Sequence, residues 1–339
     1  MYDAIDLLCR EREFSGALLL TREGEVVDKV AMGFANREAG VPVTPETTFY
    51  VASVTKQFTA CCVMLLAQDG RLSVRDTLDK YIPEYVHAPE MTLFDLLHMR
   101  GGVPDALNDV LAGRLEEEKK TTSLSPREFA LYSEREYCAG SSMRQTIDLA
   151  NAHPLRFAPG TQMHYSNTEY RFLGEVVERV SGLSLEEFMR SRIWTPLGMT
   201  RTGMGRDRIE AVSYLRFEGD WLPLPKPDSR SGAGSVVSTV GDLTRWLYAV
   251  MEGRLLDAEG WKDVFTYLDN YGMGWQADAR MPRGWHGHSG SLLGYRSRVF
   301  FEPARKRTIA FLANAEPQNP SGDDNQVFDY VLCRLADTE

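Results

Sequence analysis

A serine and a lysine three residues apart, Ser53 and Lys56, open the strongest helix signal in the chain. A helix stacks such a pair on one face, a turn apart. A serine hydroxyl is a weak nucleophile until a base takes its proton. A lysine can be that base when it is neutral, and burial lowers its pKa. The start of a helix also offers free backbone N–H groups and favours developing negative charge. The pair is therefore a candidate nucleophile and base beside half of an oxyanion hole. The plain alternative is a serine cap with an exposed lysine one turn on.

Two other clusters carry chemistry. Tyr165-Ser166-Asn167 follows the breaker Ala158-Pro159-Gly160 and precedes a helix. A tyrosine hydroxyl can pass protons where nearby positive charge lowers its pKa, and an asparagine amide can both donate and accept toward a substrate carbonyl. A packed tyrosine and a capping asparagine would read the same way. His288-Ser289-Gly290-Ser291 opens a strand signal. A glycine there lets a ligand approach the backbone, and its neighbour can donate an N–H to an oxyanion. His286 and His288, two residues apart, could share a strand face as a metal pair. No third ligand stands near them, so no metal is assigned. His87, His98, His153 and His164 read as structural or surface residues.

The elements that must hold these groups follow. Between Phe58 and Ala67 the run is apolar on nearly every face, which places the helix inside the protein. It is too short to span a membrane, and Gly70 suits a left-handed helix end. Residues 3–12 read as a short amphipathic helix, and 15–21 with 26–34 as a hairpin. Residues 92–98 form a short helix begun by Thr92. Gly101-Gly102-Val103-Pro104 is tight and irregular, and 105–150 is helical and polar. The run Glu116-Glu117-Glu118-Lys119-Lys120 is a solvated face or loop. Helices are expected through Phe172 and Val180 and from Thr239 to Leu247, with a proline-rich connector at 222–228. Strands are expected at 272–275, 295–301 and 308–312, and a closing helix at 325–335.

The 339 residues, 43% hydrophobic and 25% charged, suit a globular protein with a full core. The net charge of −10 argues against nucleic acid and anionic membrane surfaces as partners. The N-terminus shows no basic region followed by an apolar stretch, so a cytoplasmic chain, or one that starts after a removed signal, is expected. Five cysteines, an odd number with Cys61 and Cys62 adjacent, read as buried thiols.

Ser53-Val54-Thr55-Lys56, Tyr165-Ser166-Asn167 and His288-Ser289-Gly290 occur in one order. In that order the chain resembles the serine β-lactamase and penicillin-binding protein superfamily, and within it the class C β-lactamase-like group of esterases, D-stereospecific peptidases and class C β-lactamases. Segments 48–56, 72–83, 92–104, 159–167, 196–199 and 287–301 share the likeness. It implies an α/β (α+β) fold, an antiparallel sheet flanked by helices with a mostly helical inserted domain. Residues 1–85 and 215–339 would form the sheet domain and 86–214 the helical one, with the site in the cleft between them. It implies that Ser53 is acylated and that Lys56 and Tyr165 share the proton work. Asn167 would contact the substrate amide, and the N–H groups of Ser53 and Ser291 would form the oxyanion hole. His288, Ser289 and Gly290 would line the opposite wall. The implied partner is a small ester, amide or D-amino-acid peptide, and no cofactor is implied.

The chain departs from that pattern in two places. His288 and Ser289 stand where lysine and threonine are usual, and a neutral imidazole holds a substrate carboxylate less well near pH 7. This favours an esterase or amidase. The alternatives are a penicillin-binding protein (a D-Ala-D-Ala carboxypeptidase or D-aminopeptidase), a β-lactamase, or a binding module that does not turn over. Arg100-Gly101-Gly102 also replaces a Thr-Ser-Gly-like turn.

Overall fold

The computed structural model describes residues 13–277 and 284–316. The expected helices at 3–12 and 325–335 lie outside the described residues, as do Cys9 and Cys333. Five strands make the main antiparallel sheet: β1 (Gly16–Arg22), β2 (Glu25–Met32), β3 (His286–Leu292), β4 (Tyr295–Glu302) and β5 (Arg307–Ala313), in the order β3-β4-β5-β1-β2. Gly16 pairs with Ala313 and Arg22 with Arg307, so the two ends of the described chain share one sheet. β1 and β5 are buried along nearly their whole length, as strands paired on both edges and covered on both faces must be. β3 is an edge strand, which leaves one row of its backbone groups facing away from β4.

The helices in chain order include α1 (Thr55–Gln68), α2 (Ala112–Thr121), α3 (Pro126–Cys138), α4 (Met143–Asn151), α5 (Asn167–Ser181) and α6 (Val240–Met251). Every residue of α1 from Thr55 to Leu66 is buried, as its all-round apolar run requires. Gly70 follows with φ +70°. Phe58 of α1 lies 4.7 Å from the ring of Trp246 in α6, and Trp246 stacks on Trp275 at 6.2 Å. α6 covers β5 and β1, while α1 packs on α5. Thr92 caps the short helix Leu93–Leu97 through a reciprocal bond with Asp95. The acidic and basic run at 116–120 is a solvated helix face within α2. Cys61, Cys62 and Cys138 are free, buried thiols.

Two expectations need correction. Residues 272–275 do not form a strand. They make a tight turn in which Gly272 N donates to Trp275 O at 2.8 Å. Gly274 has φ +80°, and a Cβ there would lie 2.5 Å from Lys56 O, so the turn is pressed onto α1 and cannot extend. The connector at 222–228 begins inside a strand, because Asp220–Pro223 pairs with Tyr214–Phe217 in a hairpin. Among the described residues no helix is long and apolar enough to cross a membrane.

Candidate active site

Ser53 sits in the single turn of 3-10 helix, Ala52–Val54, that leads into α1. Two other segments hold this turn through three hydrogen bonds. Val51 N donates to Val236 O at 2.9 Å, Val236 N donates to Thr55 Oγ1 at 2.9 Å, and Ser297 Oγ on β4 donates to Val51 O at 2.7 Å. Ala52, just before the serine, has φ +47°. Non-glycine residues hold that conformation only where the surroundings impose it, at about 1–3 kcal/mol. The turn brings Ser53 to the surface of a cleft of about 670 Å³.

Lys56 is fully buried on the floor behind it. Its Nζ lies 3.1 Å from Ser53 Oγ, 2.8 Å from Asn167 Oδ1 and 2.6 Å from Ala233 O. Burial lowers its pKa from the ordinary 10.5 to about 7, with Asp105 pulling weakly the other way. Tyr165 stands beside them, its ring centroid 4.8 Å from Nζ. Its buried hydroxyl has no hydrogen-bond partner, although Ser53 is close enough to lower its pKa somewhat. Burial dominates and pushes that pKa far up, so the phenol is neutral.

Asn167 begins α5, and no side chain of its own segment caps that helix. The cap comes from Asp105, 62 residues earlier and fully buried. Asp105 Oδ2 accepts from Asn167 N at 3.1 Å, Asn167 Nδ2 at 2.9 Å and Asn108 Nδ2 at 2.7 Å, while Oδ1 accepts from Leu107 N and Asn108 N. A carboxylate can only accept, so it fixes which way the Asn167 amide faces. Oδ1 is thereby turned toward Lys56. The carboxylate also sits at the positive end of the α5 dipole.

The opposite wall is β3. Gln276 N donates to Gly287 O at 2.6 Å along its outer edge, and Ser289 N reaches Gln276 Oε1 at 3.4 Å. Backbone groups alternate between the two edges of a strand, so the N–H of Ser291 points outward too, into the cleft. Gly290 lies against the Ser53 turn: a Cβ there would stand 2.4 Å from Val51 O and 3.0 Å from Ser53 N. No protein acceptor takes the Ser53 N–H among the described residues. His288 is buried. Its Nδ1 is 2.6 Å from Ser289 O and its Nε2 3.1 Å from Tyr271 OH. A carbonyl oxygen only accepts, so Nδ1 donates to Ser289 O, while Nε2 and the Tyr271 hydroxyl share the second bond. Its ring also faces Tyr165 at 6.1 Å.

Ser53, Tyr165, Asn167, His288, Ser289, Gly290 and Ser291 thus line one cleft, with Lys56 beneath it. The sequence analysis did not find Asp105, the Ala233 carbonyl, Tyr271 or Gln276. An Asp after Pro104 at the head of a helical stretch was a capping signal, but nothing local tied it to Asn167. The Arg100-Gly101-Gly102 departure has a structural counterpart. The buried Glu169 carboxyl lies where a side chain would stand, since a Cβ on Gly101 would be 2.9 Å from Glu169 Oε1. Burial raises the Glu169 pKa well above the carboxylate range, and Oε1 accepts from Val103 N at 3.1 Å.

A sequence profile of the Beta-lactamase family matches residues 6–331. Esterase EstB of Burkholderia gladioli is 28% identical over 90% of this chain and 81% of its own. A D-aminopeptidase of Gluconobacter oxydans is 24% identical over 88% of this chain and 55% of its own. The D-amino acid amidase of Ochrobactrum anthropi SV3, solved with L-phenylalanine, superposes with a TM-score of 0.78 over 100% of this chain and 99% of its own; at 22% identity this speaks for the fold alone. With a profile that spans nearly the whole sequence and a mixed α/β architecture to match, the chain belongs to the Beta-lactamase family, whose members include serine hydrolases.

Proposed function

We propose that this protein is a serine hydrolase that forms an acyl-enzyme on Ser53, and that it acts as an esterase or amidase. The observation that carries this reading is the set of three oxygens around Lys56 Nζ. A neutral amine has two N–H bonds and one lone pair. Asn167 Oδ1 and Ala233 O have no proton to give, so each takes one N–H. The remaining tetrahedral direction, the lone pair, is then aimed at Ser53 Oγ, 3.1 Å away. With its pKa lowered to about 7, Lys56 has a neutral fraction at neutral pH that can act as a base. The neutral phenol of Tyr165 is poorly suited to abstract a proton, which makes Lys56 the principal base.

In the acylation step Ser53 Oγ bonds to the substrate carbonyl carbon and its proton passes to Lys56 Nζ. The N–H groups of Ser53 and Ser291 receive the oxyanion. The C–O or C–N bond to the leaving group then breaks. The unpartnered Tyr165 hydroxyl gives the leaving group a proton and regains one from Lys56. Water enters by the reverse path and releases the acid. The domain division that accompanies this reading, 1–85 with 215–339 against 86–214, is supported by the cleft's position between β3 and α3–α5.

The esterase-or-amidase choice rests on His288. Both its ring nitrogens face neutral partners, and no lysine stands in its place to hold a carboxylate on that wall. The test is to treat the protein with a fluorophosphonate, a labelled penicillin and nitrocefin, and to read the mass of the Ser53 peptide. Phosphonylation of Ser53 with fast p-nitrophenyl ester hydrolysis is expected. A long-lived penicilloyl adduct would point to a penicillin-binding protein, and rapid nitrocefin turnover to a β-lactamase. No adduct at all would leave a binding module.

A further inference from the structure

The cleft is charged against the trend of the molecule. Arg171, Arg296 and Arg298 line it together with one carboxylate, Glu134, in a chain of net charge −10. Glu134 interacts with Arg296, whose guanidinium also donates to Leu293 O and Tyr295 O. Arg171 differs. Among the described residues it forms no ion pair, its Nε is buried without an acceptor, and its hydrogen bond goes to the Ser141 carbonyl. Burial lowers its pKa, and the Tyr50 hydroxyl is the group that offsets this. A half-buried guanidinium left without a counter-charge is costly, and its planar fork is shaped for a carboxylate.

Its position says which part of a substrate it would meet. Arg171 is four residues after Asn167 on α5, so the two side chains share a helix face about 6 Å apart. Asn167 contacts Lys56 beside the nucleophile, and Arg171 lies one turn farther along α5 on the same helical wall of the cleft. We propose that Arg171 anchors a carboxylate carried on the acyl part of the substrate, making this protein selective for acyl groups that end in an anion. The proposal rests on the hydrolase reading above and names its substrate class. An anion on that side leaves the β3 wall, with His288, to the leaving group.

The test compares kcat/KM for p-nitrophenyl butyrate, p-nitrophenyl hydrogen glutarate and 4-butyryloxybenzoate in wild type, Arg171→Gln and Arg171→Lys. The wild type is expected to favour the glutarate over the butyrate by about tenfold or more, the scale of a charge-assisted hydrogen bond. Arg171→Gln should erase that preference through KM, and Arg171→Lys should keep part of it. Equal losses on all three esters, or a wild type that favours the neutral butyrate, would overturn the proposal and leave Arg171 as a clasp on the Ser141 carbonyl. A loss confined to 4-butyryloxybenzoate would overturn the acyl-side placement. If Arg171→Gln does not fold, as thermal melts would show, the wild-type ratio and Arg171→Lys still decide. Failure of the hydrolase reading looks different, because then no ester is cleaved and the fluorophosphonate does not label Ser53.

Discussion

On the helical wall of the cleft, chemistry is assigned to side chains, and each is pinned by atoms from a distant part of the chain. Lys56 is held by Asn167 and Ala233, and Asn167 by Asp105. On the strand wall chemistry is assigned to the backbone. There His288 is buried against Tyr271, while the Ser291 side chain is exposed and only its N–H direction matters. A wall of interlocked side chains should fail when one atom changes. A wall of backbone should tolerate new side chains wherever no Cβ intrudes.

Ser53→Ala strikes hardest at the helical wall. It should abolish ester turnover and leave the fold intact, since little is removed. Steady-state rates within tenfold of wild type would exclude Ser53 as the nucleophile. Lys56→Ala should cost at least about 10² in kcat, the usual scale of general-base help, and a mild loss would move the base role to Tyr165. The same lysine has a stability signature. Its pKa falls from 10.5 unfolded to about 7 folded, so between those values the unfolded state binds more protons and stability rises with pH. Chemical denaturation at pH 6 and pH 10 should show the wild type gaining on Lys56→Met, with roughly 5 kcal/mol as the upper bound. No change in that difference would mean that Lys56 titrates normally.

Asp105→Asn comes next. The amide loses the acceptor-only constraint on Asn167 and the negative charge that holds the Lys56 pKa up. A fall of about tenfold or more in kcat is expected, with the acidic limb of kcat/KM moving to lower pH. A limb that stays in place would show that Asp105 does not act through Lys56. On the strand wall the largest effect belongs to Gly290→Ala, whose Cβ would collide with Val51 O and Ser297 Oγ at 2.4 Å. About 1–3 kcal/mol of stability should go with the displaced nucleophile turn. Ser291→Ala keeps its N–H and should change kcat less than about threefold. A large loss there would place the serine hydroxyl, rather than the backbone, in the site.

The same contrast explains what could be read from the residues alone. The Ser53–Lys56 spacing, the greasy run of α1 and its end at Gly70 are local signals, and the structure keeps them. Strands at both ends of the chain pointed to one sheet, and Gly16 meets Ala313. Asp105 was invisible because its meaning lies in Asn167, which only the packing of α5 brings near. The turn at 272–275 reads as a strand by composition; contact between Gly274 and the Lys56 carbonyl bends it. The glycines at 101–102 looked like an unexplained departure until Glu169 was seen to occupy the adjacent space.

The most direct measurement is the pH dependence of Ser53 modification by a fluorophosphonate, read as the mass of the Ser53 peptide. The labelling rate should rise through a single ionisation near pH 7, and the rise should vanish in Lys56→Ala. A rate that is flat with pH, a rise near pH 10 that Lys56→Ala leaves unchanged, or label on a residue other than Ser53 would contradict a neutral lysine activating that serine.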